Sequence, residues 1–338
     1  MSKRKLSNKQ SERIKKSQDN KIISAHKVSS DCSGIRGRVI SHHGKKVNIE
    51  YFDNDQQSKV ISCHLRANLE TLVTGDFVIW QEEFEQGVVV SQEERKTVLL
   101  RPDSFGNLRP VAANITQLIL VIAPEPEAHH GLIDRYLVAA ENIGVKTLIL
   151  INKSDLLSTH SHDALKQLIE DYHRIGYPVL SISARTGEGF DKLQTQLKEE
   201  TSVFVGQSGV GKSSLIQTLL PHEDLRIGNL SAAISKGRHT TTHSHLYHFS
   251  SGGVCIDSPG IREFGLWHLN ADQILRGFVD LREYALNCKF RNCEHDAEPK
   301  CGIKEALEKG LLYKWRFDSY KHILNTLNDV NIKKGKYR

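Results

Sequence analysis

The sequence has no long apolar segment and few cysteines. No apolar run in its 338 residues approaches the roughly 18 residues that a helix needs to span a bilayer. The basic N-terminus lacks the apolar stretch of a signal peptide, and six cysteines are too few for a disulfide-stabilised scaffold. We therefore expect a cytoplasmic protein that makes no membrane contact. Three of the cysteines lie between residues 288 and 301, which favours a metal site over disulfides.

The positive charge of the chain is concentrated in its first residues. The sequence has 46 Lys and Arg against 40 Asp and Glu, a net charge of +6. Residues 1–21 contain eight basic and two acidic residues, also +6, so the rest is close to neutral. We predict a basic disordered tail over residues 1–33 that binds polyanions; a tail that only improves solubility is the alternative. Elsewhere, 38% hydrophobic residues over the whole chain suffice for globular domains.

Short strands with alternating apolar residues follow the tail. Val47, Ile49 and Tyr51 occupy every second position, and a run with the same period follows at residues 61–65. Apolar segments at 77–80 and 87–90 are separated from these by Gly, Asp and Asn. About five strands in a short stretch predict a small closed barrel of the OB type over residues 34–105; an SH3-like barrel would give a similar pattern. Such barrels often bind single-stranded nucleic acid.

Residues 106–270 have a different pattern. Apolar runs alternate with segments of helical pattern. The apolar runs lie at 115–123, 147–151, 179–183 and 202–205. The helical segments lie near 131–142, 162–174, 188–199 and 212–220. Near-continuous apolar strands between helices predict a parallel sheet covered on both faces. Residues 271–338 are helical, polar and cysteine-bearing. The predicted fold class is therefore multidomain α/β, with an OB-like β-barrel, a central α/β domain and a C-terminal helical module.

A phosphate-binding loop is predicted after the apolar run at 202–205. Gly206 to Ser213 fits the pattern G-x-x-x-x-G-K-[ST]. The glycines let backbone N–H groups face the phosphates, and the helix N-terminus adds a favourable dipole. Lys212 is expected to reach the β- and γ-phosphates, and the Ser213 hydroxyl to bind Mg²⁺. The predicted loop residues are Gly206, Gln207, Ser208, Gly209, Val210, Gly211, Lys212, Ser213 and Ser214.

A base-recognition motif, N-K-x-D, follows the apolar run at 147–151. The carboxylate of Asp155 accepts hydrogen bonds from N1–H and the 2-amino group of guanine, donors that adenine does not offer in that arrangement. The aliphatic stem of Lys153 can lie along the base. A backbone N–H after the next strand is placed to bind guanine O6. The predicted base-site residues are Asn152, Lys153, Ser154, Asp155, Ser183 and Ala184.

A third motif senses the γ-phosphate. Asp257-Ser-Pro-Gly260 matches D-x-x-G, in which the aspartate helps to hold Mg²⁺ and the glycine N–H contacts the γ-phosphate. Thr240 and Thr241 lie between this motif and the phosphate loop. We expect one of them to close over Mg²⁺, and the spacing does not separate the two. The predicted magnesium ligands are Ser213, Thr240 and Asp257.

The order of these motifs is unusual. In ordinary small GTPases the phosphate loop precedes the base-recognition motif, whereas here Asn152 to Asp155 comes first. The same sheet forms if the original termini are joined and new ones are cut, because domain termini often lie close together. The central domain is therefore predicted to be a circularly permuted P-loop GTPase domain. The switch after Gly260 then leads directly into the C-terminal segment.

Four residues of metal-binding types, three cysteines and one histidine, lie within fourteen positions of the C-terminal segment. Cys288, Cys293, His295 and Cys301 form the pattern C-x₄-C-x-H-x₅-C. Three thiolates and an imidazole favour one tetrahedral Zn²⁺ with no open position, which indicates a structural ion. Basic residues around such a zinc module suit contacts with the phosphates of folded RNA.

Together the barrel, the permuted motifs and the cysteine cluster resemble the ribosome small-subunit-dependent GTPases, the RsgA-like family. The resemblance covers residues 35–325 and rests also on Ala112 to Ile115 and on Gly237 to Thr242. It implies a GTP hydrolase that is stimulated by the small ribosomal subunit, binds its rRNA and assists its late maturation. The cofactors are then one structural Zn²⁺ and Mg²⁺ bound with GTP, and we expect a monomer.

The glutamine that orients the attacking water in Ras-like enzymes is replaced by Ile261. The unassisted rate is therefore expected to be low, on the order of 10⁻⁴ to 10⁻² per second. His239, beside the switch threonines, is the candidate catalytic residue, as the resemblance also suggests; a group from the ribosomal partner is the alternative. A second interpretation is a ribosome-associated RNA-binding protein that binds nucleotide with little turnover. Asp155 argues against an ATP-dependent kinase.

Overall fold

The structure, a computed structural model, consists of two compact units. The described residues are 34–44, 46–66, 69, 71–83, 86–103, 107–157, 163–220, 244–257 and 269–335, with 328–335 described by backbone only. The first unit contains the residues up to 115 together with 244–248 and 254–257. The second contains 116–220, 249–253 and 269–335. The predicted tail, residues 1–33, lies outside the described residues.

The first unit contains a closed five-stranded barrel. Its strands are β1 (Ile35–His43), β2 (Lys46–Phe52), β3 (Ser58–Leu65), β4 (Phe77–Glu83) and β5 (Gln86–Gln92). β1, β2 and β3 pair antiparallel in sequence order, and β3 pairs parallel with β5. β4 pairs antiparallel with both β5 and β1, which closes the barrel. The predicted barrel is confirmed, and its strand order is that of an OB-fold rather than an SH3-like barrel.

Alternate side chains fill the interior of the barrel. Val47 and Ile49 of β2 are fully buried, and so is Cys63 of β3. The rings of Tyr51 and Trp80 pack edge to face with centroids 4.9 Å apart. Successive side chains of a strand point to opposite faces, so a period of two in the sequence places one set of residues inside the barrel.

A hairpin that the sequence analysis did not predict follows the barrel. β6 (Val98–Pro102) and β7 (Leu108–Ala113) pair antiparallel as a separate two-stranded sheet. Asp103 closes the turn, because its carboxylate accepts a hydrogen bond from the N–H of Asn107 at 2.9 Å. The segment lacks a clear period of two, which explains why its strands were not recognised.

The second unit contains a parallel sheet. The strands of the sheet are β8 (Gln117–Ile122), β9 (Lys146–Ile151), β10 (Val179–Ser181) and β11 (Thr201–Val205). The helices that alternate with them are α1 (His130–Ile143), α2 (Asp163–Ile175), α3 (Phe190–Leu197) and α4 (Lys212–Leu219). The strands lie in the order β10, β9, β8, β11, and every pair is parallel. All residues of β8 and β11 are buried. The predicted parallel sheet with both faces covered is therefore confirmed.

Four helices complete the second unit. They are α5 (Ala271–Gly277), α6 (Val279–Ala285), α7 (Gly302–Glu308) and α8 (Lys314–Gly335). α5 begins with a capping box in which Asn270 and Gln273 each bind the backbone N–H of the other. Apolar side chains of these helices pack with Val138 and Ala139 of α1 in one core. The C-terminal helices are thereby joined to the first helix of the α/β sheet.

The remaining strands of the first unit form a second hairpin. β12 (His245–His248) pairs antiparallel with β13 (Val254–Asp257), and β12 also contacts β1 where His245 lies opposite Ser41. Among the described residues, every helix is too short or too polar to cross a lipid bilayer.

Candidate functional site

The predicted phosphate loop leaves the end of β11 and enters α4. Gly206 has φ +135° and Gly211 has φ +92°, backbone conformations that favour glycine. A Cβ on Gly206 would lie 2.1 Å from the carbonyl oxygen of Val121, and one on Gly211 would lie 2.4 Å from Nδ2 of Asn152. Both positions therefore require glycine, because the loop backbone passes directly against neighbouring groups.

The Lys212 ammonium group is enclosed by the phosphate loop. Its Nζ donates hydrogen bonds to the carbonyl oxygens of Gly206 at 2.8 Å and Gln207 at 2.5 Å. Ser213 and Ser214 follow in the first turn of α4, the former half-buried and the latter exposed. A cation at a helix N-terminus favours an anionic ligand such as a phosphate group.

Asn152 connects three loops of the second unit. Its Nδ2 donates a hydrogen bond to the carbonyl oxygen of Val210 in the phosphate loop at 2.8 Å. Its Oδ1 accepts one from the backbone N–H of Ala184 at 3.1 Å. Asn152 is 2% exposed, and hydrogen bonds so shielded from water are electrostatically stronger. The structure therefore brings the base-recognition motif, the phosphate loop and the Ser183–Ala184 segment together at the carboxyl ends of parallel strands.

Both carboxylate oxygens of Asp155 have partners. The Ser183 hydroxyl donates to Oδ1 at 2.6 Å, and a guanidinium nitrogen of Arg185 lies 2.8 Å from Oδ2. The hydrogen bond from Ser183 and the charge of Arg185 lower the pKa of Asp155. The group is ionised at neutral pH, so both oxygens act only as hydrogen-bond acceptors.

A loop after β8 borders the same site. Lys153 adopts a left-handed conformation with φ +61°, and its Nζ donates to the carbonyl oxygen of Glu125 at 2.6 Å. Pro126, which follows Glu125, lies beside Gly209 of the phosphate loop. A Cβ built on Gly209 would be 3.6 Å from Cδ of Pro126. Neither this loop nor Arg185 belongs to a motif that the sequence shows. Arg185 directly follows Ser183 and Ala184, and that position was the available signal.

Most of the predicted switch residues fall outside the described residues. These are the residues His239, Thr240, Thr241, Gly260 and Ile261. Asp257 is described and ends β13, opposite His245 of β12. Of the predicted magnesium ligands, Ser213 belongs to the second unit and Asp257 to the first.

The four predicted zinc ligands lie together. The donor atoms of Cys288, Cys293, His295 and Cys301 are all within 4.8 Å of one another. The Sγ atoms of Cys288 and Cys301 are 3.9 Å apart, and Nδ1 of His295 lies 3.5 Å and 3.4 Å from them. Two thiolates at about 2.3 Å from one tetrahedral ion are separated by about 3.8 Å. The cluster therefore has the donors and the spacing to hold a metal ion.

A sequence model of one protein family matches the central part of the chain. The family is described as RsgA GTPase, and the match covers residues 92–267. This stretch is slightly more than half of the chain and contains the base-recognition motif, the phosphate loop and Asp257.

Curated relatives are similar over almost the whole length. The protein named Small ribosomal subunit biogenesis GTPase RsgA from Saccharophagus degradans is 47% identical, over 98% of this chain and 99% of its own. The protein of the same name from Hahella chejuensis is 45% identical, again over 98% of this chain and 99% of its own.

Two solved structures have the same fold. YloQ, described as a circularly permuted GTPase, has a TM-score of 0.70 and 31% identity, over 90% of this chain and 98% of its own. YjeQ from Thermotoga maritima has a TM-score of 0.69 and 31% identity, over 87% and 98% of the two chains. The predicted circular permutation agrees with the first description. By these similarities in sequence and structure, the chain belongs to the RsgA GTPase family.

Proposed function

We propose that this protein is a GTP hydrolase that assists the biogenesis of the small ribosomal subunit. The observation that carries the proposal is the hydrogen bond from Asn152 to Val210, which joins the base-recognition motif to the phosphate loop. A nucleotide whose base contacts the ionised Asp155 then has its phosphates at the loop. Family membership and the names of the near-full-length relatives support the role in small-subunit biogenesis.

The base site selects guanine. N1–H and the 2-amino group donate to the carboxylate of Asp155, the Lys153 stem lies along the ring, and a backbone N–H just after β10 serves O6. Guanine takes the place of Arg185 at Asp155, because an exposed ion pair costs little to break. The proposed base contacts are Asn152, Lys153, Ser154, Asp155, Ser183 and Ala184.

The phosphate loop holds the β- and γ-phosphates. Its backbone N–H groups and the Lys212 ammonium group face the anion. Mg²⁺, bound with GTP, neutralises charge on the phosphates; the proposed ligands are Ser213, Asp257 and Thr240, with Thr241 as the alternative. Gly260 is the proposed γ-phosphate contact. The loop contacts are Gly206, Gln207, Ser208, Gly209, Val210, Gly211, Lys212, Ser213 and Ser214.

Hydrolysis is slow without a partner, because Ile261 cannot orient the attacking water. His239 is the proposed catalytic residue, and a group supplied by the small ribosomal subunit is the competing source. In either case binding to the subunit completes the site, so the protein hydrolyses GTP faster on its partner than alone.

The C-terminal cluster is proposed to hold one structural Zn²⁺. Three thiolates and one imidazole leave no open position, so the ion stabilises the fold there rather than the reaction. Lys289, Arg291, Lys300 and Lys304 lie around the cluster in sequence, interleaved with three acidic residues, and are the proposed contacts with rRNA phosphates. We propose that the protein works in the cytoplasm as a monomer, with the zinc module and the barrel as its rRNA contacts.

The test is GTP and ATP turnover by the purified protein, with and without small ribosomal subunits. We expect the protein to hydrolyse GTP but not ATP. The GTP turnover rate should rise at least about tenfold when small subunits are added, which is equivalent to lowering the barrier by about 1.4 kcal/mol. Lys212→Ala is the matched background control, since it removes the ammonium group of the phosphate loop and should abolish tight GTP binding.

Slow turnover that is the same in both conditions would contradict the proposal. Such a result would favour the alternative, a ribosome-associated RNA-binding protein that binds nucleotide with little hydrolysis. Turnover of ATP at the rate of GTP would contradict the role of Asp155, and unchanged GTP affinity in Lys212→Ala would contradict the assignment of the phosphate loop.

A further inference from the structure

His295 stands out in the metal cluster because of its backbone. Its φ is +60°, a left-handed conformation that residues other than glycine rarely adopt. The imidazole is buried, and Nδ1 lies 3.5 Å and 3.4 Å from the sulfur atoms of Cys288 and Cys301. This conformation turns the ring toward the thiolates, so surrounding groups must hold the backbone in it.

Glu298 binds the backbone on both sides of His295. Its Oε1 accepts a hydrogen bond from the N–H of Glu294 at 2.7 Å, and its Oε2 accepts one from the N–H of Asp296 at 2.8 Å. One carboxylate therefore fixes two N–H groups two residues apart, with His295 between them. Hydrogen bonds to an ionised acceptor are roughly twice as strong as neutral ones.

Two lysines bind the carbonyl groups of the same two residues. Lys304 of α7 donates to the carbonyl oxygen of Asp296 at 2.5 Å. Lys321 of α8 donates to the carbonyl oxygen of Glu294 at 3.2 Å and lies 3.5 Å from the Asp296 carboxylate. The N–H and C=O groups of both neighbours of His295 are thus bound by charged side chains. Two of these side chains come from helices, which ties the ligand segment to the helical core.

We propose that Glu298, Lys304 and Lys321 are positioning residues of the metal site, which hold the backbone around His295 so that its imidazole faces the three thiolates. The inference rests on the proposed zinc site and adds residues that the ligand pattern C-x₄-C-x-H-x₅-C does not contain. Groups that orient a metal ligand typically change metal affinity by about 10- to 100-fold when they are removed. Without Glu298 the segment relaxes from the left-handed conformation, and the imidazole leaves the thiolates.

The test is the metal affinity of the full-length variant Glu298→Gln, measured with Zn²⁺ by competition with a chromophoric chelator. The matched control is Glu308→Gln, the same substitution at an exposed position of α7. We expect Glu298→Gln to weaken Zn²⁺ binding by at least about tenfold, and the control to stay within about twofold of the unchanged protein.

A merely structural role is separated from a positioning role by the absorption spectrum of the Co²⁺-loaded protein. The bands of tetrahedral Co²⁺ report the ligand set, and His295→Ala provides the spectrum without the imidazole. We expect the Glu298→Gln spectrum to shift toward that of His295→Ala. An affinity within about twofold of the unchanged protein, or an unshifted Co²⁺ spectrum, would overturn the positioning role.

A second pair of variants serves if Glu298→Gln does not fold. Lys304→Met removes the donor to the Asp296 carbonyl and should weaken Zn²⁺ binding, whereas Lys304→Arg keeps a cationic donor and should restore it. Equal affinity in the two variants would overturn the proposal. A failure of the unchanged protein to bind Zn²⁺ would overturn the zinc site itself, which distinguishes that failure from one of the positioning residues alone.

Discussion

Two Asp–Arg pairs in the second unit have the same chemistry and different surroundings. Arg185 lies 2.8 Å from Asp155, with 77% of the Arg185 side chain and 12% of the Asp155 side chain exposed, whereas Arg316 and Asp134 contact each other with both side chains fully buried. An exposed pair contributes at most about 1 kcal/mol, because water screens it and two side chains must be ordered. A buried pair cannot lose one member without leaving an uncompensated charge.

The difference corresponds to what each region has to do. In the proposed function Asp155 exchanges its present partner for a base, and an exposed guanidinium is a partner that it can release. Arg316 joins α8 to α1 and also contacts Asp280 of α6 at 3.1 Å, while the Tyr172 hydroxyl donates to Asp134 at 2.5 Å. The buried network therefore fixes the C-terminal helices to the α/β sheet, and the exposed pair leaves the nucleotide loops free to change partners.

The largest effect is expected from Arg316→Met. The change leaves Asp134 buried without its cation, and breaking a buried pair in this way costs about 3–5 kcal/mol of folding free energy. Methionine keeps apolar contact with the Phe278 ring, which lies 4.4 Å from the Arg316 guanidinium carbon. The measurement is denaturant unfolding followed by circular dichroism.

The control for this prediction is the double variant Asp134→Asn with Arg316→Met. The amide oxygen still accepts from the Tyr172 hydroxyl, and the fully buried charge is gone although Asp280 still lacks its cation, so part of the lost stability should return. If Arg316→Met lowers the free energy of unfolding by less than about 1 kcal/mol, the buried pair stabilises the fold no more than the exposed pair does. The proposed difference between the two pairs would then be wrong.

Removal of one metal ligand should affect the C-terminal region alone. Cys293→Ser should lower Zn²⁺ affinity by more than the roughly 100-fold that the loss of an orienting group causes, because a direct ligand is lost. GTP affinity should stay unchanged, since the loops around Asn152 contain none of the four donors. Metal content after dialysis against a chelator, and binding of a fluorescent GTP analogue, test the two statements. Full metal content in the variant would refute the ligand set.

A smaller effect is expected from Asp155→Asn. Loss of a charge-assisted hydrogen bond costs about 1.5–3 kcal/mol, which is roughly 10- to 150-fold in GTP affinity. The amide of asparagine can donate to the 2-oxo group of xanthine, so the affinity for XTP should rise. Dissociation constants of both nucleotides for both proteins give the measurement, and an unchanged preference for GTP over XTP would count against base recognition by Asp155.

The sequence predicts well what is local in the chain. Asn152 and Gly206 are identified by short motifs that follow apolar strands, and parallel strands bring their carboxyl ends to one edge of the sheet. The four metal donors are close in sequence, so their convergence was predictable as well. The barrel followed from a period of two that leaves one set of side chains for the interior.

Contacts between distant residues could not be predicted in this way. Arg316 and Asp134 are 182 positions apart, and nothing in either segment indicates a buried partner, because lysines and arginines usually stay at the surface. The Lys153 ammonium group donates to a backbone acceptor, the Glu125 carbonyl oxygen, and a sequence pattern does not indicate which carbonyl group a side chain will meet. Such pairs depend on how helices and loops pack, and only the structure reveals them.

The smallest effect is expected from Arg185→Gln, which tests whether the exposed pair is exchangeable. Folding stability should change by less than about 0.5 kcal/mol, as for most surface substitutions. GTP affinity should rise by no more than about fivefold, the equivalent of an exposed pair worth at most about 1 kcal/mol, because guanine no longer competes with the guanidinium. The difference in GTP affinity between the variant and the unchanged protein should shrink at high salt, which screens the Arg185–Asp155 attraction.

Lys192→Gln, at an exposed position of α3, is the control for the loss of a positive charge. A fall in GTP affinity of about tenfold, or 1.4 kcal/mol, would mean that Arg185 binds the nucleotide itself, and the exposed pair would then be part of the binding site rather than a partner to be displaced.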